Sequence, residues 1–202
     1  YFYGLSSHEN VEIKLYNKAN PLKPWKTMGR MHDKYLIADG KIYILGGRNT
    51  YNYFLGDFPG HKNFDRDVLV VCDEPQKDNS VNQLWNYFET IWEQEDCRYF
   101  HNSKKLADRQ SVKKAVLELQ EGYQQYFEVN KEKICDTDYA DETFETEKIT
   151  LLSNPIHTQA KEPVVWYQLG ELMKNAKERV KIHTPYIICN DMMYNTWEEI
   201  AE

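Results

Sequence analysis

The sequence lacks any apolar run long enough to cross a bilayer. Its longest apolar stretches, such as residues 68–72, are far shorter than the roughly 20 residues that a transmembrane helix requires. We therefore expect no membrane-spanning segment, and we expect the chain as given to be soluble.

Cysteine is scarce, with four residues among 202. The four are widely separated and form no CxxC pair: Cys72, Cys97, Cys135 and Cys189. Closely spaced pairs are typical of zinc ribbons, and dense sets are typical of small disulfide-stapled scaffolds. The spacing excludes both classes and leaves the cellular compartment open.

An excess of positive charge is missing as well. The formal net charge is −7 at pH 7 and the sequence pI is about 5.5. Broad electrostatic binding of nucleic acid needs a dense basic surface that displaces counterions. We therefore expect no nucleic-acid partner.

The sequence contains enough apolar residues to form a hydrophobic core, since 41% of the residues are hydrophobic and 14% are aromatic. Strand-like and helix-like periods along the chain predict an α/β fold. Predicted strands cover residues 11–16, 31–38, 41–45, 67–72, 148–152 and 180–188, and predicted helices cover 80–92, 112–127 and 163–176. The last two strands and the helix between them form a predicted βαβ unit, and a further helix is expected after Asn190.

Aspartate and glutamate are concentrated in residues 128–147. This run lacks the ligand order and the glycine of an EF-hand loop, so it is interpreted as a solvated linker rather than a cation site. The linker divides the chain into residues 1–127 and residues 148–202.

The first predicted hairpin carries a motif with chemical meaning. His32, Lys34 and Asp39 have the spacing H-x-K-x-x-x-x-D, and residues 46–49 follow with the sequence Gly-Gly-Arg-Asn. Side chains two residues apart on a strand share a face, so the His32 imidazole and the Lys34 ammonium are predicted to project together. Asp39 and Gly40 form a strong hairpin signal.

An imidazole beside an ammonium suits a phosphate group. Lys34 can neutralise a nonbridging oxygen, while His32 can attack phosphorus or donate a proton. The return strand is expected to bring Asn49 beside them as a further oxygen ligand. Gly46 and Gly47 are interpreted as a tight turn at positive φ that positions Asn49.

The HxKxxxxD element followed by GGRN resembles the signature of the phospholipase D superfamily, particularly its bacterial cardiolipin-synthase-like branch. Residues 65–67 (Asp-Arg-Asp) and 184–186 (Thr-Pro-Tyr), which lie at predicted strand ends, add to the similarity. The resemblance covers most of the chain. It implies a phospholipase D-like mixed sheet flanked by helices, with incomplete repeats.

The resemblance also implies a two-step phosphodiester transfer that uses no metal or other cofactor. One histidine becomes a phosphohistidine, a second protonates the leaving alcohol, and water or another alcohol resolves the intermediate. In this sequence His32 is then the nucleophile or the acid, and Lys34 and Asn49 hold phosphate oxygens. Asp67 orients the histidine through its other ring nitrogen.

Two more residues take roles by the same resemblance. Asp39 is a structural partner rather than a participant in the chemistry. Tyr186 is placed near the substrate cleft, and the alternative is a strand-end tyrosine whose hydroxyl lies in water. His183 beside it is interpreted as a structural group.

The HxKxxxxD element occurs once in this sequence, whereas the family members that it resembles carry two. Together with a start at Tyr1, this predicts a central fragment in which residues 148–188 pack against the hairpin sheet. Such a fragment is expected to be inactive unless the rest of the full-length chain, or a second copy, supplies the other histidine.

The expected activity of the intact, membrane-associated protein is phosphatidyl transfer on a phospholipid substrate, as in a cardiolipin synthase. A phosphodiesterase or nuclease of the same superfamily is the alternative, with the acidic charge against a nuclease. A noncatalytic scaffold or binding module with a relic motif is the second alternative.

Overall fold

The computed structural model describes residues 1–51, 53–54, 60–72, 78–100, 103–157, 162–184 and 186–201. These residues contain helices and two small antiparallel sheets, which confirms the general α/β prediction. The predicted mixed sheet would need a parallel pair, and the strands described here pair antiparallel only. The chain divides into two compact units, residues 1–150 and 151–202.

The first unit contains five strands and four helices within the described residues. The strands are β1 (Lys14–Tyr16), β2 (Lys34–Ala38), β3 (Ile42–Gly46), β4 (Asp67–Val71) and β5 (Cys97–Tyr99). The helices are α1 (Phe2–Leu5), α2 (Ser80–Trp92), α3 (Lys104–Ala107) and α4 (Gln110–Cys135), and a 3₁₀ turn covers Pro24–Met28. The second unit contains α5 (Val164–Lys174) and α6 (Asp191–Ala201).

The main sheet has the strand order β2-β3-β4. The predicted hairpin between β2 and β3 is confirmed: Asp39 and Gly40 both have positive φ, 53° and 66°, as a type I′ turn requires. The register places Lys34 opposite Gly46, and Gly46 opposite Asp67. Directly opposed residues share a face, so these three positions form one row across the end of the sheet.

Helix α2 covers one face of the sheet and forms the core with it. Val81 and Leu84 are 0% and 1% exposed, and Tyr43 and Val70 of the sheet are also buried. Full burial of each such aliphatic side chain contributes about 1.5–3 kcal/mol. Asn79 caps the helix by accepting from the Asn82 amide at 2.8 Å, and α2 has the predicted bounds.

The strand predicted at residues 67–72 is confirmed as β4 to within one residue, but it is not buried along its whole length. Strand β4 ends at Val71, and its Val68 is 59% exposed. The reason is that β4 is an edge strand with β3 as its neighbour, so apolar residues near its end stay at the surface. On the face opposite Tyr43, Leu36 and Ile44 are exposed too.

The smaller sheet pairs β1 with β5. The strand predicted from residue 11 begins at Lys14, whose ammonium lies 4.6 Å from the Trp92 ring centroid and 4.7 Å from that of Tyr99. The same ammonium donates to the Trp92 carbonyl at 2.6 Å, at the carboxyl end of α2. These contacts join the small sheet to the helix that supports the large one.

Helix α4 is longer than predicted. It runs from Gln110 to Cys135, so the first residues of the predicted 128–147 linker are helical. Glutamate and lysine are favourable helix formers, and an acidic composition does not by itself end a helix. A kink lies at Asn130, whose side-chain amide donates to the Tyr126 carbonyl at 2.9 Å.

The second unit packs α5 against α6. The Trp166 and Trp197 rings lie 5.7 Å apart, and Lys174 forms an ion pair with Glu199. The predicted strands at residues 148–152 and 180–188 are wrong for the residues described there, which form no strand; Pro185 lies outside them. Strand propensity yields a strand only where a partner supplies hydrogen bonds, so the predicted βαβ unit is not formed.

Candidate active site

The motif lies at the end of the main sheet. Lys34 is the first residue of β2, and His32 lies just before the strand rather than on it. The Lys34 Nζ is nevertheless 2.8 Å from Nδ1 and 3.2 Å from Nε2 of His32, and it donates to the His32 carbonyl at 2.6 Å. The imidazole and the ammonium therefore meet, although not through strand alternation.

This contact constrains the chemistry of the imidazole. A lysine ammonium only donates hydrogen bonds, so it can bond only a ring nitrogen that carries no proton, and which of the two nitrogens that is depends on the tautomer. Such a nitrogen can attack phosphorus once the ammonium turns from it to a phosphate oxygen. Lys34 forms no ion pair with any carboxylate in the described part of the chain, so its charge is available to a phosphate.

Gly46 lies between Lys34 and Asp67 in the row across the sheet, and this position has no room for a side chain. A Cβ added at Gly46 would lie 1.8 Å from Oδ1 and 2.7 Å from Cγ of Asp67. At Gly47 an added Cβ would lie 2.9 Å from Oδ2 of Asp65. The interpretation of both glycines as positive-φ turn residues is wrong, because neither has a positive φ; they leave space for two carboxylates.

Arg48 binds the segments that flank the motif. Its Nε donates to Oδ2 of Asp67 at 2.7 Å, its Nη1 to the Phe54 carbonyl at 2.7 Å and its Nη2 to the Asp65 carbonyl at 2.9 Å. Sequence reasoning gave Arg48 no role, although an arginine beside a glycine pair and an Asp-Arg-Asp segment was a usable signal. The ion pair neutralises Asp67, which would otherwise repel an anion near Lys34.

Asp67 was predicted to orient His32 through a ring nitrogen. Within the described residues the Asp67 carboxylate bonds to Arg48, and no hydrogen bond joins it to His32. The ring of His32 instead contacts Lys34. An orienting role for Asp67 in a substrate complex stays a prediction.

Asn49 and Asp39 occupy different ends of the hairpin. Asn49 follows β3 and is half-buried, and its carbonyl accepts from the Tyr51 amide at 2.9 Å. Its side chain forms no hydrogen bond with His32 or Lys34 in the structure as described, so its role as an oxygen ligand stays a prediction. Asp39 lies in the exposed turn at the far end of β2.

A tyrosine cluster behind the motif was missed by the sequence reasoning. The Tyr87 hydroxyl of α2 donates to Oδ2 of Asp33 at 2.5 Å, and its ring lies 6.2 Å from that of Tyr35. Burial, followed by the charge of Asp33, raises the pKa of Tyr35 to about 12. Burial and the hydrogen bond with Asp33 raise the pKa of Tyr87 as well. Tyr87 lies on the same helix face as Ser80 and Leu84. This spacing is the feature of the sequence that indicates its contact with the sheet.

Tyr186, the predicted cleft residue, lies in the second unit. Its side chain is 76% exposed, and its carbonyl accepts from the Thr184 hydroxyl at 2.9 Å. Its placement near a substrate stays a prediction, as does the packing of residues 148–188 against the hairpin sheet.

The chain matches no family model, no curated protein and no solved structure. The phospholipase D resemblance therefore rests on the sequence motif alone. In the described residues, no helix combines the length and the apolar character needed to span a membrane.

Proposed function

We propose that this chain contributes half of a phospholipase D-type active site that transfers the phosphatidyl group of a phospholipid headgroup diester. The observation that carries this proposal is the contact between the Lys34 ammonium and the His32 ring nitrogens, with no carboxylate paired to Lys34 in the described residues. An imidazole beside a cation that no carboxylate neutralises suits in-line attack on an anionic diester.

The first step forms a bond between a His32 ring nitrogen and phosphorus while the bond from phosphorus to the leaving oxygen breaks. The leaving alkoxide takes a proton from a general acid, and Lys34 offsets the charge on a nonbridging oxygen. In the second step the general acid, which has now lost its proton, takes a proton from water or an alcohol. The oxygen of that molecule attacks phosphorus and breaks the bond to His32. His32 is then released.

The acid belongs to a second motif. The sequence contains one H-x-K element, so we assign this proton to a histidine of a second HxKxxxxD element in the intact protein or in a second copy of the chain. Membrane association of the intact protein follows from the same proposal, because its substrate is a lipid.

A product assay tests the proposal. The chain, alone and within its full-length protein, is incubated with phosphatidylglycerol vesicles and separately with a DNA duplex, and lipid and nucleotide products are separated. We expect lipid products from the full-length protein that disappear in His32→Asn, and none from the chain alone unless a second copy supplies the other histidine. DNA cleavage would favour the nuclease alternative. Full-length protein that is inactive on both substrates, or unaffected by His32→Asn, would favour a relic motif.

A further inference from the structure

Asp33, which lies between His32 and Lys34, forms a hydrogen bond with a residue outside the motif. Strand pairing begins with Lys34 opposite Gly46, so His32 and Asp33 lie beyond the backbone hydrogen bonds of the sheet. Asp33 is held instead by the Tyr87 hydroxyl at 2.5 Å. A hydroxyl that donates to a carboxylate at this distance forms a strong, charge-assisted hydrogen bond.

Helix α2 provides a rigid base for this contact. Leu84, one turn before Tyr87, is 1% exposed. At the start of the helix the Tyr43 hydroxyl donates to Oγ of Ser80 at 3.2 Å. Helix α2 therefore contacts the sheet at Ser80, through Tyr43, and at Tyr87, whose ring lies 6.2 Å from that of Tyr35. The Tyr87 hydroxyl is thus held by packing.

We propose that Tyr87 is a positioning residue for the phosphate site: by bonding Asp33 it holds the His32–Lys34 segment in place and draws the Asp33 charge away from the incoming anion. This inference deepens the proposed function and rests on it. Tyr87 touches neither His32 nor Lys34 through a hydrogen bond in the described structure, so it acts through Asp33. Its hydroxyl proton is engaged with Asp33, which argues against a role as the general acid.

The test compares Tyr87→Phe with Tyr35→Phe in the same chain. Both changes remove one hydroxyl from the same ring pair, but Tyr35 forms no hydrogen bond with any described residue through its hydroxyl. Three quantities are measured: the His32 ring cross-peak in a ¹H–¹³C spectrum, the rate of lipid turnover in the full-length protein, and the unfolding midpoint in urea.

We expect Tyr87→Phe to move the His32 cross-peak and to lower kcat by about 10- to 100-fold with little change in KM, since small misplacements of a reacting group cost rates of this order. Tyr35→Phe should leave both quantities near the wild-type values. Asp33→Asn keeps an oxygen that accepts from Tyr87 and should retain more turnover than Asp33→Ala.

Equal effects of Tyr87→Phe and Tyr35→Phe on the His32 cross-peak would overturn the proposal, as would a loss of turnover fully explained by the urea midpoint. The His32 cross-peak can be measured whether or not the protein turns over lipid. If the wild-type protein is inactive but Tyr87→Phe alone moves the His32 cross-peak, positioning stands and the proposed function fails.

Discussion

The two ends of the main sheet are held together by different interactions. At the turn end the contacts are backbone hydrogen bonds: the Lys41 amide donates to the Ala38 carbonyl at 3.0 Å, and the Cys72 amide donates to the Lys41 carbonyl at 2.8 Å. At the motif end side-chain contacts add to the strand pairing, namely Arg48 with Asp67, Tyr87 with Asp33, and Lys34 with His32.

We therefore expect the turn end to contribute mainly to stability and the motif end mainly to activity. The turn end lies near the buried residues Tyr43 and Val70 and sets the register of the strands. The motif end is more exposed and depends on charged groups whose positions are set by their partners. Changes at the turn end should therefore alter the free energy of unfolding, and changes at the motif end should alter activity.

The largest effect is expected for His32→Asn at the motif end. Loss of the proposed nucleophile should lower turnover of phosphatidylglycerol by at least about 10³-fold, while the urea midpoint stays within error because His32 is exposed. Lys41→Met, which removes an exposed cation at the turn end, is the matched control and should keep full turnover. Comparable losses in both variants would remove the distinction between the two ends.

Gly46→Ala should affect both quantities. The added Cβ would collide with the Asp67 carboxylate, and relief of that clash must displace the Arg48 ion pair. We expect a loss of about 1–3 kcal/mol in the free energy of unfolding, together with lower turnover.

Gly122→Ala on α4 is the control for Gly46→Ala, because an added Cβ there meets nothing within 4 Å. It should stabilise the protein by about 0.8–1 kcal/mol, since alanine is the better helix former. Urea unfolding of both variants measures the difference, and equal midpoints would contradict the proposed role of Gly46.

Gly40→Ala tests the turn end. Gly40 has a φ of 66° in open space, so the cost of a side chain is conformational and amounts to roughly 1–2 kcal/mol. Turnover per folded molecule should not change. A loss of turnover larger than the loss of folded protein would show that the turn end also positions the chemistry.

The smallest effect concerns alkaline pH. Burial raises the pKa of Tyr35 in the folded state to about 12 from its usual value of about 10, so the neutral form of its hydroxyl favours folding. This contribution is fully present below about pH 10 and is lost as pH rises towards 12. Urea unfolding between pH 9 and 12 should show a steeper decline in the wild type than in Tyr35→Phe, and identical slopes would argue against burial of this hydroxyl.

Local signals in the sequence predicted the hairpin and α2 well, because the Asp39-Gly40 turn and the helical period of residues 80–92 are encoded by near neighbours. The contacts that hold the motif were missed because they join distant residues. Arg48 and Asp67 are 19 positions apart, and Tyr87 and Asp33 are 54 apart. The strands predicted within 148–188 failed for the same reason, since their existence depends on partners that an apolar pattern does not identify.

Direct detection of a phosphohistidine tests the central claim most sharply. The full-length protein is quenched at alkaline pH, where phosphohistidine survives, during turnover of phosphatidylglycerol labelled at its phosphate, and the labelled peptide is sequenced by mass spectrometry. We predict a label on His32 that is absent from His32→Asn. A label on another residue, or turnover in His32→Asn that equals the wild type, would contradict the assignment of His32 as the nucleophile.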